Sequence, residues 1–236
     1  MGNLGDRGSP VGRRVVLGMA GLGALGVVFG GAASDTIARA LSAGGGGAGG
    51  IIPATGGFRY YSVTSSEPER TEKTYRLEVG GLVRRKRTFR FADLQKLPST
   101  GLSLDFQCVT GWRVPHVPWS GVRLSDLLDR VGVQPGAKAV LFHSFDGEYT
   151  ESLTLAQAMR PDVLVATSMY GKTVTQSHGG PVRLYVAPMY GYKSLKWLGR
   201  IEVSDKVVPG FWERRGYDVD AWVGRSNGRT DKATSP

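Results

Sequence analysis

The chain has 236 residues, of which 41% are hydrophobic, and this is enough apolar material for one domain with a full core. It contains a single cysteine, Cys108, and three histidines. An internal disulfide is therefore excluded, and these residues show no zinc-ligand spacing. The formal net charge of +10 is compatible with nucleic acid, an anionic membrane surface or an anionic substrate as a partner, and composition does not distinguish among them.

The N-terminus has the pattern of an export signal. Arg13 and Arg14 stand directly before the uncharged segment 15–33, which is rich in glycine and alanine. Paired arginines before a weakly apolar segment favour a twin-arginine signal over an uncleaved membrane anchor, because glycine makes a poor membrane span. Residues 1–40 are therefore predicted to be a twin-arginine-type signal. The protein is predicted to be periplasmic or otherwise extracytoplasmic, and membrane-tethered if the signal stays uncleaved.

Two segments flank the predicted domain. Residues 41–57 include "SAGGGGAGG", which is typical of a flexible linker. Residues 224–236, "GRSNGRTDKATSP", are polar and are predicted to form a flexible tail. The folded domain is expected to span residues 58–223.

Within this domain the apolar spacing predicts strands and a few short helices. A hairpin is expected over residues 74–91 with its turn at Gly80-Gly81, and "RRKR" (84–87) is expected to be a solvated strand edge. "FADLQKL" and "RLSDLLDRVG" have helical spacing, the second with Ser125 as its N-cap and Gly132 as its end. A further short helix is expected over residues 154–159. Further strands are expected in "AVLFHSF", "GEYTESLTL", "VLVATSMYGKTV", "PVRLYVAP" and "LGRIEVSD", so the pattern predicts an α+β fold.

Cys108 ends a predicted strand and opens a loop rich in proline, glycine and tryptophan. Three interpretations are open for it: a buried apolar residue, a nucleophile, or a thiolate ligand to a metal carried by a cofactor. An inert buried cysteine usually lies within a strand or helix, so the loop position favours a functional role. His116, eight residues later, keeps a cysteine nucleophile among the alternatives.

Two later segments concentrate polar chemistry. In "SHGGPVRLYVAPMYGYKSLKW" (177–197), cationic side chains are interspersed with glycines, a combination that suits a phosphate or pyrophosphate group. The segment "FWERRGYD" (211–218) ends near Tyr217, whose phenol is a candidate donor to an oxyanion.

Together these segments resemble the molybdopterin-binding domain of the sulfite oxidase family, which includes the catalytic subunit of the periplasmic methionine sulfoxide reductase. The similar stretches are Cys108 with "PWSGVRLSDLL", then "HGGPVRLYVAPMYGYKSLKWLGRIEV", then "WERRGY". The resemblance covers residues 58–218. It implies an α+β, mixed-sheet sulfite-oxidase-type domain and a molybdopterin-dependent oxidoreductase that carries molybdenum-molybdopterin (Mo-MPT).

The resemblance also implies roles for individual residues. Cys108 matches the thiolate ligand of molybdenum, which agrees with the affinity of soft thiolates for such centres. Arg59 and Arg113 match arginines that bind an anionic substrate, and Tyr217 matches a tyrosine beside the molybdenum oxo group. The residues that match pterin and phosphate contacts are Tyr61, Ser62, Ser144, His178, Arg183, Ser194, Leu195 and Lys196.

Two positions bear on the substrate. The sulfoxide reductases of the family carry a glutamate two residues after the cysteine, where this chain has Thr110. Of the Gly-Asn-Arg-Arg stretch typical of sulfite oxidases, "TGWR" keeps only the last arginine.

The expected reaction is two-electron oxygen-atom transfer at a small sulfur oxyanion or S-oxide, with sulfite-type oxidation favoured over sulfoxide reduction. A separate cytochrome or membrane haem protein is the expected electron partner. An exported basic module that binds nucleic acid or another anionic polymer is the alternative from a different class. No recognised nucleic-acid motif is present in the sequence, so nucleic acid is not an expected partner.

Overall fold

The computed structural model describes residues 10–11, 58, 60–64 and 67–229. The predicted signal apart from residues 10–11, the whole predicted linker, and Arg59 lie outside the described residues. Residues 230–236 of the predicted tail lie outside them as well.

The described residues form short strands, three α-helices and two single turns of 3-10 helix. The strands are β1 Pro10–Val11, β2 Tyr60–Tyr61, β3 Arg76–Gly81, β4 Arg87–Arg90, β5 Thr100–Gln107, β6 Arg113–Arg123, β7 Ala139–Ser144, β8 Thr150–Thr154, β9 Val163–Met169, β10 Lys172–Thr173, β11 Arg183–Val186 and β12 Leu198–Ser204. The helices are α1 Phe91–Gln95, α2 Leu124–Val131 and α3 Leu155–Ala158, with 3-10 turns at Gly191–Lys193 and Glu213–Arg215. In the described part of the chain no helix has the length and apolar character needed to span a membrane.

The long strands build two five-stranded sheets. The first has the order β10-β9-β6-β5, with β11 also paired to β9, and its neighbours are antiparallel. The second has the order β4-β3-β12-β7-β8 and is mixed, because β3 and β12 run parallel while the other pairs are antiparallel. β1 and β2 form a separate parallel pair. The predicted α+β fold with a mixed sheet is confirmed.

The predicted hairpin over residues 74–91 is present as β3 and β4, with Arg76 opposite Arg90. Its connection is residues 82–86, and Gly80-Gly81 form the end of β3 instead of the turn. Gly81 has φ +79°, and a Cβ there would lie 2.1 Å from the carbonyl oxygen of Val203, so only glycine fits beside β12.

The prediction that Ser125 caps helix α2 is wrong. Strand β6 runs directly into the helix, so the extended backbone of Arg123 occupies the N-cap position and Ser125 falls within the first turn. Gly132 does end the helix, with φ +72°. The short helix α3 begins as expected after Thr154, whose Oγ1 accepts a hydrogen bond of 3.2 Å from the backbone N–H of Gln157.

Strand β9 is buried on both faces. Its alternating side chains contribute to two apolar clusters, with Val163 and Val165 in one, and Leu164 and Ala166 in the other. The first cluster joins the mixed sheet to α2, and the second is rich in aromatic rings from β5, β6 and β11. Cys108 packs against both clusters, so it lies where the two halves of the core meet.

Candidate functional site

A pocket opens beside Cys108. The empty space within it and its open mouth amounts to about 980 Å³. Its lining is mostly apolar, with a thiol, three phenols and a small set of charged groups. The residues that line it come from three parts of the chain that are distant in sequence: 106–112, 146–149 and 178–217, together with Phe58 and Val63.

Cys108 is held at the pocket by a tight turn after β5. Its backbone N–H donates to the carbonyl oxygen of Trp112 over 2.9 Å, and the N–H of Gly111 donates to the carbonyl oxygen of Cys108 over 3.0 Å. Gly111 has φ +107°, in the region that favours glycine. The hydroxyl of Thr110 donates to the Sγ of Cys108 over 3.2 Å. The turn therefore presents the half-buried sulfur to the pocket with a hydroxyl donor already in contact with it.

Three aromatic side chains, Tyr149, Trp212 and Tyr217, form what we call the aromatic wall of the pocket. The rings of Trp212 and Tyr217 have centroids 5.3 Å apart, and the Tyr149 hydroxyl donates to the carbonyl oxygen of Tyr192 over 2.8 Å. Burial, and then the negative charge of Cys108, raise the pKa of Tyr217 to about 12. Its phenol is consequently protonated at neutral pH and available as a hydrogen-bond donor.

Arg183 ties together two loops of the pocket. It is buried on β11, where its Nη1 donates to the carbonyl oxygen of His178 over 2.6 Å and its Nη2 donates to that of Ser194 over 2.7 Å. The guanidinium also lies 5.2 Å from the ring centroid of Trp119. Burial lowers the pKa of Arg183 to about 10, so the side chain still carries its charge at neutral pH.

Lys196 is a cationic residue of the pocket lining whose pKa is lowered by its surroundings. Its Nζ donates to the carbonyl oxygen of Ser177 over 3.2 Å and lies 4.2 Å from the ring centroid of Trp197. Burial, and then the charge of Arg183, lower the pKa of Lys196 to about 7. An ammonium group that is destabilised in this way gains more than an exposed lysine does when an anion binds beside it.

Asp146 is a pocket residue that the sequence did not single out. It lies in the turn after β7, where its Oδ1 accepts 2.9 Å hydrogen bonds from the backbone N–H groups of Glu148 and Tyr149. Its Oδ2 is buried and has no hydrogen-bond partner among the described residues. A buried carboxylate oxygen of this kind calls for a donor, and the ring N–H and amino groups of a pterin are suitable donors. Ser144 supports this turn, since its Oγ accepts from the N–H of Asp146 over 3.1 Å.

The structure brings together most of the residues predicted for the site. Those that line the pocket are Cys108, His178, Arg183, Ser194, Leu195, Lys196 and Tyr217. Ser144 is buried behind the lining, and the Ser62 hydroxyl lies 3.0 Å from that of Thr64. Tyr61 is described only as part of β2, and Arg59 is outside the described residues. The functional role of each of these residues stays a prediction.

Arg113 lies apart from the pocket lining. It begins β6, and its Nε is 3.6 Å from Oδ2 of Asp105, with 36% of its side chain exposed. Its predicted role as an anion-binding residue also stays a prediction, but the structure pairs its charge with a carboxylate.

Sequence reasoning missed the aromatic part of the lining. The residues concerned are Phe58, Phe106, Trp112, Tyr149, Tyr192, Trp197 and Trp212. The available signal was the presence of tryptophan next to each polar motif, in "TGWR", "LKWL" and "FWER". Apolar residues at those places are equally typical of the hydrophobic core, so the pattern did not distinguish a pocket lining from ordinary core packing.

Taken together, these groups fit molybdopterin. Cys108 offers a soft thiolate, Lys196 offers a cation for the phosphate, and Asp146 offers an acceptor for ring N–H groups. The family profile described as "Oxidoreductase molybdopterin binding domain" matches residues 64–212 of the chain. The chain belongs to this family.

This molybdopterin-binding oxidoreductase is similar in sequence to several proteins from bacteria and plants. It is 35% identical to an uncharacterized oxidoreductase, YuiH, of Bacillus subtilis, over 63% of this chain and 75% of the relative. It is 33% identical to the protein-methionine-sulfoxide reductase catalytic subunit MsrP of Ralstonia nicotianae, over 66% of this chain and 53% of MsrP. It is 31% identical to sulfite oxidase of Arabidopsis thaliana, over 62% of this chain and 46% of that enzyme. The chain thus spans about half the length of the relatives whose activity is named.

A solved structure supports the same fold. The chain superposes on the sulfane dehydrogenase SoxCD of Paracoccus pantotrophus with a TM-score of 0.56 and 27% sequence identity, covering 61% of this chain and 41% of that one. The predicted membership in the sulfite oxidase family of molybdopterin oxidoreductases is confirmed.

Proposed function

We propose that this protein binds molybdenum-molybdopterin and transfers an oxygen atom to or from the sulfur of a small substrate. The observation that carries the proposal is that Cys108, the only thiol of the chain, lines the same pocket as Lys196 and Arg183. When bound, the cofactor supplies two-electron oxygen-atom transfer, and the protein supplies binding, orientation and the local field.

The residues assigned to hold the cofactor act on different parts of it. Cys108 is the thiolate ligand of the metal, and Thr110 stabilises negative charge on its sulfur through the 3.2 Å hydrogen bond. Lys196 neutralises the phosphate, while Arg183 fixes the two loops that carry His178 and Ser194. Asp146 accepts hydrogen bonds from the pterin ring.

The aromatic wall is assigned to the substrate side. Tyr217, which keeps its proton at neutral pH, donates a hydrogen bond to the substrate oxygen. Trp212 and Tyr149 exclude water from the space beside the sulfur of Cys108.

An uncharged S-oxide, or the corresponding thioether, is the substrate that the described lining supports best. The lining residues next to Cys108 in the sequence are Val109, Thr110 and Trp112, and none of them carries a charge. The aromatic wall is also uncharged, and Arg113 is paired with Asp105 away from the lining. The side of the pocket formed by these uncharged residues matches a neutral sulfur group better than a dianion.

Sulfite-type oxidation is the second candidate, and one observation favours it. The positive charge of Arg229 acts on Tyr217, lowering its pKa against the larger effect of burial. A cation that is electrostatically coupled to the proposed oxygen-binding phenol would attract an oxyanion. Arg59, which the family resemblance assigns to anion binding, would act in the same direction.

The proposed electron partner and location rest on the sequence. Two electrons must leave or enter the site, and a chain with one cysteine has no C-x-x-C-H haem motif, so a separate cytochrome or membrane haem protein is proposed as the partner. Export to an extracytoplasmic compartment is proposed from Arg13, Arg14 and the uncharged segment after them.

The test is to purify the full chain, expressed with its N-terminus intact, and to measure molybdenum and pterin per protein. About one of each per chain, with turnover of a sulfoxide or sulfite and an artificial electron carrier, would support the proposal. Sulfoxide-dependent dye oxidation and sulfite-dependent dye reduction separate the two substrate candidates. Protein that contains neither metal nor pterin would contradict the proposal and favour the anion-binding module.

A further inference from the structure

Lys193 lies entirely inside the protein together with two carboxyl groups. Its Nζ is 2.9 Å from Oε1 of Glu151 and also donates to Oε1 of Glu213, and all three side chains are 0% exposed. We call these residues the buried triad. Because an unpaired charge is very unfavourable in such surroundings, the charges of the triad have to balance.

One ammonium and two carboxyl groups do not balance if both carboxyl groups are ionised. Each carboxyl group accepts one backbone hydrogen bond, from Ser152 N–H to Oε1 of Glu151 over 3.0 Å and from Gly210 N–H to Oε2 of Glu213 over 2.6 Å. Glu213 is the better placed to hold the negative charge, because it has a donor at each of its two oxygens. By contrast, Oε2 of Glu151 is buried with no hydrogen-bond partner among the described residues. Burial raises the pKa of Glu151 well above its ordinary value, against the opposing effect of Lys193 and with a further increase from Glu213.

The buried triad joins the chain segments that form the pocket. Glu151 lies two residues after Tyr149, and Lys193 directly precedes Ser194, which lines the pocket. Glu213 directly follows Trp212 and lies one turn of 3-10 helix before Tyr217. Each member of the aromatic wall is therefore within a few residues of a carboxyl group that contacts the same ammonium.

We propose that the buried triad is a neutral positioning device, in which Glu151 keeps a proton beside the Lys193–Glu213 ion pair, and the three together hold the aromatic wall over Cys108. These are positioning residues, since they act through the wall and do not touch the reacting atoms. The inference rests on the proposed function, which assigns the wall to the substrate side.

Glutamine variants test the charge assignment. Glu151→Gln replaces a neutral acid with a neutral amide of similar shape, so kcat/KM of the loaded enzyme is expected to stay within about twofold. In Glu213→Gln, Glu151 can ionise and replace the lost negative charge. We therefore expect only a moderate loss of thermal stability in this variant. The double variant leaves Lys193 with no anion, and its loss of thermal stability should exceed the sum of the single losses. Glu78→Gln/Glu148→Gln, at two exposed positions, is the matched control, and its losses should be additive.

Alkylation of Cys108 tests the positioning role without any need for bound cofactor. Cys108 is the only thiol of the chain, so the alkylation rate of the protein measures how well the aromatic wall shields its sulfur from the reagent. In cofactor-free protein at pH 7, the double variant should react with iodoacetamide at least about tenfold faster than the wild type, and Glu151→Gln at the wild-type rate. In the loaded enzyme the double variant should raise KM more than it lowers kcat. Equal alkylation rates in the double variant and the wild type would overturn the positioning role.

Infrared spectroscopy of the wild type and Glu151→Gln gives a second measurement, which does not depend on how the double variant folds. At pH 7 the difference spectrum should contain the C=O band of a protonated carboxyl group that only the wild type possesses. A difference spectrum with carboxylate bands alone, or a tenfold or larger loss of kcat/KM in Glu151→Gln, would overturn the assigned proton. Absence of molybdenum from the protein would count against the proposed function and would leave the alkylation and infrared outcomes fully decisive for the triad.

Discussion

The hydroxyl of Thr110 donates a hydrogen bond to the Sγ of Cys108 over 3.2 Å, across the turn that presents the sulfur to the pocket. A donor to a thiolate ligand withdraws negative charge from the metal and raises its reduction potential. Thr110→Val is therefore expected to lower the potential of the loaded enzyme by a shift on the order of 30–60 mV, the equivalent of one charge-assisted hydrogen bond in a two-electron couple. A redox titration measures it. Thr110→Ser, which keeps the donor, should stay near the wild-type potential, and an unshifted Thr110→Val would show that the bond has no effect on the metal.

Replacement of Cys108 by serine removes the proposed metal ligand and leaves the phosphate end of the pocket unchanged. We expect activity to fall by at least about two orders of magnitude, since loss of outer-shell partners alone costs 10–100-fold in such sites. Pterin content should fall less than activity. Turnover assays and cofactor analysis on the same preparation check this, and full turnover by the serine variant would exclude Cys108 as the ligand.

Arg183 to lysine should destabilise the protein although it keeps the charge. A lysine ammonium reaches one of the two carbonyl oxygens that Arg183 now binds, on His178 and Ser194, and the other is left buried without a donor. The expected loss is about 1–3 kcal/mol in the free energy of unfolding. Arg200→Lys, at an exposed arginine paired with Glu202, is the control and should lose less than about 0.5 kcal/mol. Urea unfolding compares the two, and equal losses would argue against the bridging role.

The stability of the cofactor-free protein should rise with pH because of Lys196. The pKa of this side chain is about 7 in the folded protein against an ordinary value of 10.5, so between these values the unfolded chain binds more protons than the folded one. Stability increases with pH wherever the unfolded state binds more protons, so the free energy of unfolding should increase across this window. Lys196→Met should flatten the profile, and so should a bound phosphate group, which raises the pKa again. A profile in the methionine variant as steep as in the wild type would assign the effect to other groups.

Two arginines separate the substrate candidates. Arg113→Gln should leave KM for a neutral sulfoxide within about twofold of the wild type, because Arg113 is paired with Asp105 outside the lining. If sulfite is the substrate, Arg229→Gln should raise KM for sulfite severalfold, because its charge acts on Tyr217. Steady-state kinetics with both substrates check this. An unchanged KM for sulfite in Arg229→Gln would show that Arg229 does not help to bind the anion, and sulfite-type oxidation would lose its structural support.

The sequence predicted the polar half of the pocket because that half is nearly continuous in the chain. His178, Arg183 and Ser194 lie within one short segment. Strand β11 and the turns on either side of it bring all three residues to the lining of the same pocket. Asp146 was not predicted, because a turn after a strand looks the same whether or not it faces a pocket. The folded structure is needed to place Asp146 in the lining of the pocket.

Arg113 shows a different limit of prediction from sequence. The family resemblance assigned Arg113 to anion binding, and its position five residues after Cys108 gives no information on the direction of its side chain. The tight turn at Gly111 and the start of β6 redirect the side chain to Asp105 on the neighbouring strand. The element types were predictable from apolar spacing, whereas the direction of a single side chain at the start of a strand depends on register. Ser125 was misassigned as a cap for a related reason, because the length of β6 could not be read from its composition.

The order of the chain bears on how the site is assembled during synthesis. The last strand, β12, ends at Ser204, so both sheets are complete before Trp212 and Tyr217 emerge. Trp212 and Tyr217 of the pocket lining are therefore made after both sheets, and residues 218–229 follow them. A chain that ends at residue 209 contains every strand of the described fold and Tyr149 of the aromatic wall, but it lacks Trp212 and Tyr217, so this side of the pocket is completed only after the sheets.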